Sequence, residues 1–112
     1  MYGFAVITGD FNPVHVNKQF AEGTMFKGRI AHGMLSAGFI SAVLGTQLPG
    51  INTIYMKQEL SFLAPVMIGD TVTATVEVIE KIEAKNRAIL RTYVTNQDGK
   101  IVADGQATVM KK

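Results

Sequence analysis

The sequence predicts an α+β domain in which an antiparallel sheet of at least four long strands wraps around one long buried helix. Three observations carry this. Residues 32–44 form one apolar segment with only Ser36 and Ser41 as polar side chains beyond its first residue. Residues 51–112 alternate apolar and polar side chains with the period of half-buried strands. The breaks between those strands are short and rich in Gly, Asp and Asn, and short connections make consecutive strands antiparallel.

The elements follow in order. Tyr2–Thr8 is a short apolar segment ending at Gly9. Gly9-Asp10-Phe11-Asn12-Pro13-Val14-His15 is turn-rich, because Pro13 disfavours the helical region at Asn12 and both Asp and Asn bond to nearby backbone. Asn17–Glu22 is expected to be a short helix capped by Asn17, and Lys27-Gly28-Arg29 a loop. His32–Leu44 is the main helix, with Gly33 at its start, Gly45 at its end and Gln47-Leu48-Pro49-Gly50 as its stop. Being apolar nearly all round, it is expected to be enclosed on most sides. Four strands then follow. Ile54, Met56, Gln58, Leu60 and Phe62 alternate with Tyr55, Lys57, Glu59 and Ser61. Val72–Val78 alternates with threonines and Glu77, and Arg87–Asn96 and Ile101–Met110 complete the set. Ile68-Gly69-Asp70, Glu83–Asn86 and Gln97-Asp98-Gly99 read as hairpin turns. Pro65 marks a bend or an edge.

Composition narrows the function. The 112 residues suit one domain, spanning 1–112. With 47% hydrophobic and 18% charged residues, the chain can build one core and is not a disordered polyelectrolyte. A net charge of +2 is no nucleic-acid footprint. Cysteine is absent, which excludes disulfides, thiolate metal sites and cysteine nucleophiles. The two histidines, His15 and His32, do not make a three-histidine zinc site within one chain. The N-terminus lacks a basic signal region, and the longest apolar segment falls short of the ~20 residues of a membrane span. A cytoplasmic protein, with no membrane or nucleic-acid partner, is the expectation.

Two segments hold chemistry-bearing residues. Asp10, Asn12 and His15 fall within six residues on an irregular segment. A carboxylate beside an imidazole is the kit for acid–base work on a water molecule. The same residues also serve ordinary Asx-turns and caps, so both readings stand on local sequence alone. In Ile30-Ala31-His32-Gly33-Met34, Gly33 opens the main helix, where backbone N–H groups are free and the dipole is positive. Such a position suits a carbonyl oxygen gaining charge, or else simply close packing, with His32 as cap or filler. Ser41 has no base beside it in sequence and no nucleophile elbow around it.

Taken together, Thr8-Gly9-Asp10-Phe11-Asn12-Pro13-Val14-His15 and Phe26-Lys27-Gly28-Arg29-Ile30-Ala31-His32-Gly33-Met34-Leu35 resemble the signature of the MaoC-like, (R)-specific enoyl-CoA hydratases, whose fold is the hot-dog. The resemblance continues through Gly45–Gly50, Leu60-Ser61-Phe62 and Val66–Thr73. It implies Asp10 and His15 as the catalytic pair, Asn12 as an amide that holds the site, and Gly33 as the thioester-oxygen donor. It places Ser41 near the acyl pocket, and makes Lys27, Arg29 and His32 candidates for substrate contact. Asn17 stands where many relatives carry aspartate, at a non-catalytic position. The implied reaction is reversible hydration of a trans-2-enoyl-CoA to a (3R)-3-hydroxyacyl-CoA. No metal or redox cofactor is expected, coenzyme A entering as part of the substrate. The partner is expected to be a second copy, in a homodimer or higher homo-oligomer. An acyl thioesterase, a carrier-protein dehydratase and a non-catalytic acyl-CoA-binding module are the competing functions. The resemblance also implies a strand ahead of Tyr2–Thr8 that this sequence lacks. The expectation is a chain shortened at its N-terminus, or a sheet edge covered by the partner.

Overall fold

The structure is a computed structural model that describes residues 2–25, 27–48, 50 and 52–111. Phe26 of the second motif and Pro49 of the helix stop lie outside the described residues. Four helices come first: α1 (Tyr2–Thr8), α2 (Pro13–Val16), α3 (Lys18–Glu22) and α4 (Gly33–Thr46). Four strands follow, β1 (Thr53–Phe62), β2 (Thr73–Ile82), β3 (Arg87–Thr95) and β4 (Ile101–Lys111), with a short 3-10 turn at Glu83–Lys85. The strands form one antiparallel sheet in the order β1-β4-β3-β2, and α4 lies across one face. Its core joins Ile40 and Leu44 of α4 to Leu90 and Val94 of β3 and to Val102, Ala103, Ala107 and Val109 of β4.

Three expectations are corrected. The first concerns Ile68-Gly69-Asp70, which turns the chain, with Asp70 N–H donating to the Met67 carbonyl, but joins no hairpin. β1 pairs with β4, not β2, so residues 63–72 cross from one edge of the sheet to the other. A ten-residue connection has that reach, whereas the 3-10 turn at Glu83–Lys85 and the turn at 97–99 do close hairpins. Pro65 sits in the crossover, where the chain has left the sheet.

The second correction is the end of α4, which runs through Gly45 to Thr46 and is capped at Gln47. Gly45 makes no left-handed cap; the positive φ falls at Gly50. The third is the helix's enclosure. Only Ser36, Ile40 and Leu44 of α4 are fully buried, while Met34, Gly38, Ser41, Ala42 and Gly45 face outward. Uniform apolarity shows that a helix needs cover on several sides but not that its own sheet supplies all of it.

Gly105 lets the backbones of β1 and β4 approach closely. A Cβ there would fall on the Glu59 carbonyl oxygen of β1 and lie 2.9 Å from Leu60 Cα. β1 and β2 are the two edges of the described sheet.

Candidate active site

The two signature segments meet in front of the N-terminus of α4. α1 ends at Gly9, whose φ of +77° suits glycine. A relay of short bonds then shapes the loop. Asp10 N–H donates to Thr8 Oγ1 (3.3 Å), Asn12 N–H to Asp10 Oδ1 (3.2 Å) and Val14 N–H to Asn12 Oδ1 (3.2 Å). Asn12 thereby caps α2, with Pro13 at its first position. Its amide shapes backbone and lines neither of the cavities described below. Asn17 caps α3 as expected, accepting from Phe20 N–H at 3.0 Å.

α2 is a single turn, and it turns His15 inward, leaving it 9% exposed. His15 Nδ1 lies 2.8 Å from the Ile30 carbonyl, which only accepts, so Nδ1 carries the proton. Nε2 is then the basic nitrogen. The Ile30 segment is itself pinned, by Ile30 N–H to the Val14 carbonyl (3.1 Å) and Ala31 N–H to the Val66 carbonyl in the crossover (2.6 Å).

His32 comes next, and the structure makes it more central than a cap or surface contact. It is 2% exposed, with its ring stacked on His15 (centroids 4.0 Å apart, planes at 29°) and tilted against Phe4 at 4.7 Å. Its Nε2 lies 2.9 Å from the Asp10 main-chain carbonyl and 3.7 Å from Asp10 Oδ2. One ring nitrogen from each histidine and one Asp10 carboxylate oxygen lie within 4.8 Å of one another.

That spacing separates two chemistries. Four ligands about 2.1 Å from a tetrahedral zinc ion lie about 3.4 Å apart. Stacked imidazoles also send their in-plane lone pairs side by side rather than to one point. Any pair of these atoms wider than about 3.4 Å would have to close around a zinc ion. One water molecule making two hydrogen bonds of about 2.8 Å bridges groups up to about 5 Å apart, and that span matches.

Gly33 opens α4, so its N–H has no acceptor within the helix. A Cβ at Gly33 would press to 3.0–3.2 Å against the Phe62 ring. Two cavities meet at His32, Gly33 and Phe62. One, about 860 Å³, runs from Asp10 along α4 to Ser41, with Tyr55 and Gln58 of β1 on its far wall. The other, about 500 Å³, holds His15 and runs under the crossover to Val66. Lys27, exposed and at φ +58°, and the half-buried Arg29 line neither.

Sequence reading did not find Phe4, Tyr55, Gln58 or Phe62. Gln58 Nε2 donates to Thr92 Oγ1 (2.9 Å), and Tyr55 OH bonds Gln58 Oε1. Partial burial raises the Tyr55 hydroxyl above its ordinary value of 10.0, keeping it a donor. The one available signal was Gln58 standing at an inward position of an alternating strand.

A protein-family model, the MaoC like domain, matches residues 1–99. The chain is 58% identical over 110 residues to an (R)-specific enoyl-CoA hydratase of Rhodospirillum rubrum, covering 98% of this chain and 76% of that one. It is 52% identical over 107 residues to a 3-hydroxybutyryl-CoA dehydratase of Methylorubrum extorquens, covering 96% and 68%. Among solved structures, the (R)-hydratase of A. caviae involved in PHA biosynthesis superposes with a TM-score of 0.96 at 45% identity, over 99% of this chain and 84% of that one.

Proposed function

The chain belongs to the MaoC-like family, and from that membership and the site's geometry we propose that it is an (R)-specific enoyl-CoA hydratase. It adds water reversibly across the double bond of a trans-2-enoyl-CoA, giving the (3R)-3-hydroxyacyl-CoA. The observation that carries the catalytic assignment is the spacing of Asp10 and His15, which suits one shared water beside a helix-start N–H that has no acceptor within its helix.

The thioester oxygen accepts from Gly33 N–H. As the water oxygen bonds to C3, the double-bond electrons move toward the thioester, and that oxygen gains the charge which the N–H and the α4 dipole stabilise. Asp10 and His15 hold the water between them. One takes its proton and the other delivers a proton to C2 on the same face. In dehydration the flow reverses, and the pair shares its protons as one titrating unit. Holding water and alkene in contact removes much of the entropic barrier. The reaction neither oxidises nor reduces, so it calls for no redox cofactor, and the backbone donor takes the place of a Lewis acid.

The acyl chain is assigned to the cavity along α4 toward Ser41. Lys27 and Arg29 are assigned to the CoA phosphates outside the cavities. The assembly is a homodimer. Its support is the outward apolar face of α4 and the two sheet edges, both of which are association surfaces. The compartment is the cytoplasm, supported by a chain without cysteine; among the described residues, no helix is long and apolar enough to cross a membrane. Secretion of the untagged protein would contradict that placement.

Crotonyl-CoA tests the reaction directly. Loss of enoyl-thioester absorbance without appearance of free thiol is expected. Thiol release without hydration would favour a thioesterase instead, and no turnover at all would favour a binding module.

A further inference from the structure

The Asp10 carboxyl reaches the site from an exposed loop, yet the reaction needs it at a fixed distance from Gly33 N–H. Two bonds hold the Asp10 main chain. Thr8 Oγ1 accepts from its N–H at 3.3 Å, and His32 Nε2 lies 2.9 Å from its carbonyl. A carbonyl only accepts, so His32 Nε2 carries the proton and donates it. Its Nδ1 is buried and meets no hydrogen-bond partner among the described residues. Burying such an acceptor unpaired is unfavourable. An apolar ring between Phe4 and His15 would avoid that cost, so packing alone does not explain an imidazole here. The Nε2–H bond does. It links the Asp10 loop to the residue immediately before Gly33, the cap of α4.

We propose that His32 is a positioning residue: its Nε2–H, donated to the Asp10 carbonyl, fixes the Asp10 carboxyl relative to the Gly33 N–H. This rests on the hydratase reading above. His32 Nε2–H is committed to the Asp10 carbonyl, so it acts through Asp10 rather than on the water. It sets the geometry in which Asp10 meets the water that His15 also holds, so its loss is felt in turnover rather than in substrate binding.

Two substitutions separate the bond from the packing. His32→Phe keeps a buried ring between Phe4 and His15 and removes the donor. On crotonyl-CoA its kcat is expected to fall about 10²-fold, the cost of a displacement near 1 Å, with KM within about threefold of wild type. His32→Gln keeps an N–H donor at similar reach and is expected to hold kcat within about tenfold of wild type. A wild-type kcat in His32→Phe, a His32→Gln variant no better than His32→Phe, or a loss confined to KM would each overturn the proposal. If circular dichroism shows His32→Phe unfolded, the kcat of a folded His32→Gln and the protonation of the wild-type ring nitrogens decide the proposal. Nitrogen-15 NMR of the wild-type protein tests the tie without any substrate: Nε2 of His32 is expected protonated and Nδ1 bare, and the reverse overturns it. Absence of hydration by the wild-type protein would instead defeat the hydratase reading, and the two failures are thus distinguishable.

Discussion

In the proposed reaction a backbone N–H, a carboxyl and an imidazole carry the chemistry, and each is placed by main-chain structure rather than by another of the three. Ile30 O orients His15, Asn12 N–H holds Asp10, and the start of α4 frees Gly33 N–H. Removing a proton carrier should therefore remove rate and leave the fold. Asp10→Asn and His15→Ala are each expected to lower crotonyl-CoA hydration by at least about 10²–10⁴-fold, with circular dichroism unchanged; near-normal rates in both folded variants would contradict the assignment. Gly33→Ala probes the oxyanion side. Its methyl would meet the Phe62 ring at 3.0 Å, and that ring is 53% exposed and free to move. The displaced ring then disturbs the thioester's seat, so kcat/KM should fall about 10–100-fold while stability barely changes. Equal kcat/KM in steady-state assays would show that Phe62 does not guard the donor.

At the scale of elements, the sheet depends on one close approach and one ion pair. Gly105→Ala would drive a methyl into the β1 backbone, which cannot yield as a side chain can. A loss of at least about 3 kcal/mol in urea unfolding is expected, and wild-type stability would mean that β1 does not cross there. The Arg91 guanidinium, 3.1–3.3 Å from the Asp104 carboxylate on the neighbouring strand, holds that carboxyl below its ordinary 3.8. A carboxyl lowered on folding stabilises above its unfolded value and loses that contribution as pH falls through the folded one. Asp104→Asn should accordingly be slightly less stable than wild type near neutrality, with the gap closing as pH falls below 3.8 and the acid limb correspondingly shallower; identical acid limbs would contradict the pair's role. These same elements show what was legible in the sequence. Alternation located every strand, because a half-buried strand writes its period locally. Pairing of β1 with β4 joins residues such as Leu60 and Gly105 across 45 positions and leaves no local mark. The closeness of Asp10 and His15 was legible because they lie five positions apart in one short segment. The stack of His32 on His15, and Tyr55 and Gln58 on the far wall, come from distant segments and were not.

At the scale of the whole molecule, two features bear on the proposed homodimer. The radius of gyration is 15.7 Å, against about 13 Å for a compact domain of this size. Large apolar residues such as Ile7 (87% exposed), Met34 (63%) and Ile79 (53%) lie open on the single chain. The proposed homodimer would bury such residues against a second copy. Sedimentation at micromolar concentration should give twice the chain mass of 12.1 kDa, and a persistent monomer would contradict the homodimer. In the proposed reaction, the two faces of the alkene are distinguished by where Asp10, His15 and Gly33 stand around it. The configuration at C3 of the product therefore tests the site most directly. Chiral analysis of the 3-hydroxybutyryl-CoA formed from crotonyl-CoA should find the (3R) isomer alone. A (3S) or racemic product would contradict the placement of the water and the thioester oxygen in this site.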